Sequence, residues 1–130
     1  MKWLILAFAA GLMYPLVYER GDLGTKFVAA SVQIENLNRV LERYRSDTGD
    51  YPSTEPGLQA LRDSGAEGWQ GPYLTKAVPL DPWGRAYHYR FPGGHGDRPD
   101  VWSLGSDGLT GGYGPNADIV SWSLKTWKVE

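Results

Sequence analysis

The sequence predicts an α+β fold, in which one amphipathic helix is followed by a small sheet with a long acidic loop near its end. Three observations carry that expectation. From Thr25 to Arg45 the apolar residues recur at alternating steps of three and four, the period of a helix with one buried stripe. After Tyr51, prolines and glycines cut the chain into short extended pieces; the 17 glycines are well above the average usage of about 7%. Between Trp102 and Trp122 runs WSLGSDGLTGGYGPNADIVSW, which sets Asp107 and Asp118 on a glycine-dense loop between two short apolar runs.

The chain's 130 residues make one domain with a modest core. A net charge of -2, from 13 basic and 15 acidic side chains, includes no basic stripe for nucleic acid and no acidic block of a disordered tail. The absence of cysteine excludes disulfides and thiolate metal sites. Six tryptophans and eight tyrosines are enough for a compact aromatic core.

Met1 to Val17, MKWLILAFAAGLMYPLV, is almost wholly apolar after Lys2. Three readings fit it. A membrane anchor is favoured by the flanks, although a span normally takes about 20 apolar residues. A cleaved signal peptide shares the basic start and apolar centre. A buried helix of a soluble fold is the third. Trp3, Tyr14 and Tyr18 sit where interfacial aromatics belong, and Lys2 keeps the short flank cytoplasmic, sending the remainder outward. The segment expected to be anchor or signal is 1-18, with the folded domain over 19-130. Pro15 is expected to kink or end the first helical piece.

The helix expected over 25-48 carries Phe27, Ala30, Ile34, Leu37, Leu41 and Tyr44 on its stripe. The lower half of that stripe packs on its own domain, and the upper half is left to neighbouring subunits. Gly49 suits a left-handed cap. Pro56 then opens a short helix, GLQALRDS, with Ser53 or Thr54 as its cap and Leu58 and Leu61 inward. Pro72-Tyr73-Leu74 and Val78-Pro79-Leu80 are short extended pieces, and Asp81-Pro82-Trp83-Gly84 is a tight turn. Ala86 to Phe91 alternates and is aromatic, so it is a strand, with Tyr87, Tyr89 and Phe91 on one face. Asp100 to Leu104 and Ile119 to Trp122 are two more, and the tail extends the last strand or docks on the sheet.

The acidic loop is too poor in apolar residues to order itself by burial. Calcium binds six to eight hard oxygens, peptide carbonyls among them. Asp107 and Asp118 supply charge, and glycines at 105, 108, 111, 112 and 114 let the backbone turn its carbonyls inward. Leu104 and the residues near Tyr113 offer carbonyls, and Ser121 offers a further oxygen. The spacing is not that of an EF-hand. Local turns made by the two aspartates without any metal account for the same residues. Catalysis has little support: His88 lies in a strand and His95 in a glycine loop. Ser106-Asp107 has no base placed beside it, and no lysine or amphipathic helix follows Gly111-Gly112-Tyr113-Gly114. A zinc site from His88, His95 and carboxylates is equally weak.

Five motifs stand in order. They are Tyr51-Pro52-Ser53-Thr54-Glu55-Pro56-Gly57-Leu58-Gln59-Ala60-Leu61, Trp69-Gln70-Gly71-Pro72-Tyr73-Leu74, Asp81-Pro82-Trp83-Gly84, Trp102-Ser103-Leu104-Gly105-Ser106-Asp107-Gly108 and Asn116-Ala117-Asp118-Ile119. Together they resemble the major pseudopilins of bacterial type II secretion systems, the general secretory pathway protein G family, over roughly Lys26 to Trp122. The resemblance implies a pilin-like fold: a long N-terminal helix on a small antiparallel sheet, with a calcium ion in the last loop. It implies Asp107 and Asp118 as side-chain ligands, with a carbonyl from Leu104. It further implies a structural subunit, not an enzyme, that stacks with itself, other pseudopilins and secretion-system components into a periplasmic pseudopilus supporting export of folded proteins across the outer membrane. The subunit would be held in the inner membrane by its N-terminal helix. Met1 to Val17 departs from the family pattern, having neither a Gly-Phe junction nor an acidic residue. A prepilin peptidase would find no site there, which leaves either an upstream start or a diverged relative. The competing function is a stand-alone calcium-stabilised envelope module, anchored or exported, that binds a partner without polymerising.

Overall fold

The structure, a computed structural model, describes the backbone of residues 2–123 and the side chains of 24–114 and 116–123. Its first element is a single helix, α1 (Lys2–Thr48). The helix runs unbroken through Pro15, so that proline does not end a helical piece, and no break follows residue 18. A proline removes one ladder hydrogen bond; the helical turns on either side of it continue the run here. The anchor and signal readings of 1-18 depend on side chains outside the described residues. Among the described residues no helix is long and apolar enough to cross a membrane.

The stop after Thr48 is as the sequence requires. Gly49 takes φ +96°, open to glycine without strain, and its N–H donates to the Arg45 carbonyl at 2.8 Å. Five of the six stripe residues, Ala30, Ile34, Leu37, Leu41 and Tyr44, are buried. Phe27 is not: it is 44% exposed and lies near the exposed Val28 and Val32. The domain covers α1 only from about Ala30 onward.

The GLQALRDS helix is one turn of 3-10 helix, η1 (Gly57–Leu61), with Leu58 and Leu61 buried as expected. Its expected side-chain cap is absent; Pro56 holds the cap position with no side-chain hydrogen bond. Ser53 and Thr54 have other partners: Ser53 Oγ donates to the Glu55 carbonyl at 2.5 Å, and Thr54 Oγ1 spans to the backbone of Phe91 at 3.1 Å. The Thr54 hydroxyl ties this turn to the end of β1, and the Ser53 hydroxyl stays within the turn; neither serves the helix N–H groups.

Three strands form an antiparallel sheet in sequence order: β1 (His88–Arg90), β2 (Asp100–Ser103) and β3 (Ile119–Val120). Each is shorter than its sequence run, because the flanking residues turn away to hold loops. Leu80 pairs with Ala86 across the Asp81–Gly84 turn, where Gly84 has φ +85°. The register sets Tyr89 opposite Val101 and Ser103 opposite Ile119, and this face closes on α1. Ile34, Leu37, Leu41, Leu61, Val101 and Ile119 are the fully buried apolar centre.

Around that centre tyrosine rings pack inward while their hydroxyls reach polar partners at the rim. Tyr51 donates to Glu42 at 2.5 Å, Tyr73 to Asp47 at 2.7 Å and Tyr89 to the Pro52 carbonyl at 2.6 Å; Tyr87 donates to Gln33. Burial, then the nearby Asp81 charge, pushes the Tyr87 phenol above its usual range, and burial does the same for Tyr89. The expected aromatic core is therefore largely one of tyrosines; Trp69 and Trp83 pack at its edge.

Candidate metal centre

The acidic loop leaves β2 at Leu104 and rejoins the sheet at Ile119. Its two halves are built differently. The first, 104–109, is fastened from outside. Asp81 is buried at the turn before β1, where its Oδ1 accepts the N–H of Trp83 at 3.1 Å and of Arg85 at 2.8 Å. Its Oδ2 accepts the Ser103 hydroxyl at 2.8 Å, and Ser103 Oγ in turn accepts the Gly105 N–H at 3.2 Å. Arg85 then donates from Nη1 to the carbonyls of Gly105 at 3.1 Å and Ser106 at 3.4 Å. Asp107 closes the half with a local turn, its Oδ1 accepting the Leu109 N–H at 3.0 Å.

The second half, 110–118, draws its hydrogen bonds from within the loop among the described residues, and its turn lies against α1. A short 3-10 turn, η2 (Gly114–Asn116), follows the exposed Tyr113. Asp118 reaches back across the loop, its Oδ2 accepting the Gly111 N–H at 3.1 Å. Gly112, at φ +97°, lies so close to Asn116 that a Cβ would fall 2.6 Å from its carbonyl oxygen. The other carboxylate oxygen, Asp118 Oδ1, is buried without a hydrogen-bond partner among the described residues. A buried, unpaired carboxylate oxygen is costly, since its water is lost and nothing replaces it.

The residues expected to bind metal are placed as follows. Leu104 stands at the exit of β2, half-buried, and Asp107 is exposed three residues on. Asp118 is half-buried at the return, just before β3. Tyr113 is 92% exposed, so only its backbone has a plausible part in a metal shell. Ser121 Oγ accepts the Val101 N–H at 3.0 Å, which fixes it to β2 and leaves its second lone pair for any cation. Among the described residues no three His, Cys, Asp or Glu side chains converge. A hard cation here must therefore draw most of its oxygens from the backbone, which calcium accepts. Asp118 Oδ1 is the donor-lacking oxygen that such an ion would satisfy, so the residues fit the ion.

The histidines belong elsewhere. His88 stacks on Trp102, and His95 bonds Asp100 at 3.0 Å while lying flat on Trp122, ring centres 3.8 Å apart. Neither hydrogen-bonds Ser106 among the described residues. Arg85 and Asp81 are the residues sequence reading passed over. The signal was present in Asp81-Pro82-Trp83-Gly84-Arg85, an acid that caps its own turn and so aims the next side chain, but the target carbonyls lie some twenty residues away.

The model of the family described as type II secretion system (T2SS), protein G, matches residues 20–122. The chain belongs to the type II secretion system protein G family. It is 38% identical over 123 residues to the type II secretion system core protein G of Pseudomonas aeruginosa, covering 91% of this chain and 85% of the relative. It is also 38% identical over 104 residues to the core protein G of Vibrio cholerae, covering 76% and 70%. The crystal structure of the major pseudopilin from the type 2 secretion system of enterohaemorrhagic Escherichia coli superimposes with a TM-score of 0.63 at 31% identity, covering 78% of this chain and 90% of that one. The pilin-like fold expected from the motifs is thus the fold observed, one helix on a small antiparallel sheet, and the protein G family is one of structural pseudopilin subunits.

Proposed function

We propose that this chain is a calcium-stabilised pseudopilin that stacks through α1 into a type II secretion pseudopilus, its N-terminal helix in the inner membrane and its sheet domain in the periplasm. Family membership supports the structural role. The exposed Phe27, Val28 and Val32 above the covered part of α1 support helix-to-helix stacking. The ion would be held by Asp107, Asp118 and the Leu104 carbonyl, with oxygens from the Tyr113 region and Ser121. It would supply positive charge and a common centre for these oxygens. Nothing in this role calls for catalysis.

The observation that carries the calcium reading is Asp118 Oδ1, buried with no donor among the described residues while Oδ2 of the same carboxylate accepts the Gly111 N–H. Calcium is expected to raise the melting temperature of the purified protein by several degrees, with Asp118→Ala abolishing the gain. Equal melting in calcium and in chelator overturns the metal reading and leaves the family assignment untouched.

A further inference from the structure

We infer that Arg85 is a positioning residue for the metal loop: it preforms the first half, so that only the second half is left for the ion to order. The inference rests on the calcium reading and adds to it a division of labour between the two halves. Arg85 is itself held in place, its N–H donating to Asp81 Oδ1 at 2.8 Å and its carbonyl accepting the Asp81 N–H at 2.7 Å. From that fixed base the guanidinium donates to the carbonyls of Gly105 and Ser106, the two residues before Asp107. It also lies close against Gly108, the residue after Asp107. A Cβ on Gly108 would come within 2.7 Å of the guanidinium carbon. The expected metal-binding aspartate is therefore bracketed on both sides by one cation from the chain.

A guanidinium suits this task because its donors are fixed in a plane and it stays charged at every working pH. It takes up carbonyls that would otherwise turn to water, and it sets the backbone direction from which Asp107 projects. Among the described residues no side chain from outside the loop hydrogen-bonds the second half; its hydrogen bonds come from within 110–118, and η2 leans on α1. Ordering a residue costs conformational entropy. A first half ordered before binding lowers what the ion must offset, the general basis of preorganisation.

Amide hydrogen exchange on the full chain tests this, with calcium or with chelator present. In the wild type the Gly105–Leu109 amides are expected to be protected in chelator, with calcium adding protection only over 110–118. In Arg85→Ala the first half is expected to exchange about tenfold faster in chelator, through loss of the guanidinium's hydrogen bonds to the Gly105 and Ser106 carbonyls. Calcium should then protect both halves and bind about tenfold more weakly. Arg85→Lys, which keeps a donor and the charge, should recover part of both effects, whereas Arg85→Leu should not. The inference is overturned if calcium protects both halves equally in the wild type, or if Arg85→Ala leaves the chelator pattern unchanged. A wild type that binds no calcium sinks the metal reading alone, because the chelator comparison still reports on Arg85.

Discussion

Asp100 and Asp118 sit at opposite ends of the loops around β2 and β3, and they meet the same physical demand differently. Asp100 is 1% exposed. Its Oδ2 accepts from Arg90 at 2.7 Å, the Gly94 N–H at 2.9 Å and His95 at 3.0 Å, all from this chain. Burial pushes its carboxyl upward, but the Gly94 N–H, Arg90 and His95 outweigh it and hold the pKa below the ordinary value of 3.8. Among the described residues, Asp118 has one donor for one oxygen and none for the other. The first region is complete in its own residues, whereas the second keeps an acceptor in reserve. Two acidic groups in one small domain thus differ in whether this chain's described residues satisfy them, and the proposed ion would complete the second.

That contrast can be broken most severely at the core on which both regions stand. Leu37 is 2% exposed, and Leu37→Asp is expected to cost about 4 kcal/mol or more in urea unfolding, since an unpaired charge would replace packed apolar surface. Both loops should be lost together, whether or not calcium is present. An intact fold would show that the α1 stripe is not the core face.

Asp100→Ala comes next, at about 2 kcal/mol, kept modest because Arg90 remains half in water. Its cost should be the same in calcium and in chelator. A folded-state pKa below the unfolded value means the native state holds the proton less tightly. The stability from Asp100 is then complete above pH 3.8 and is lost as the pH falls from there through the lower folded value. Urea midpoints at pH 6 and pH 3 should therefore differ less in the variant than in the wild type. A cost that depends on calcium would erase the distinction between the two aspartates.

Asp118→Ala should read the other way, costing well under about 1 kcal/mol in chelator while removing the whole calcium-dependent gain. The smallest effect belongs to Tyr113→Ser. With 92% of the side chain in water, its melting temperature in either condition should stay within experimental error. A clear loss confined to calcium would move a metal contact from the Tyr113 backbone to its phenol oxygen.

The sequence by itself determined the α1 stripe from Ala30 to Tyr44, the glycine stop at Gly49, the turn at Asp81–Gly84, the three strands and the family. These are local signals: a period, a cap, a turn chemistry, a motif order. It also placed Asp107 and Asp118 on one loop. It did not foresee that Ser53 and Thr54 would bond elsewhere than the helix start, or that α1 would run through Pro15. Nor did it show that Asp81, Ser103 and Arg85 would fasten one half of the loop. Only the tertiary structure decided these, because each depends on partners brought together from separate parts of the chain. A hydroxyl or guanidinium bonds whatever acceptor folding brings within about 3 Å, and sequence spacing does not encode that distance.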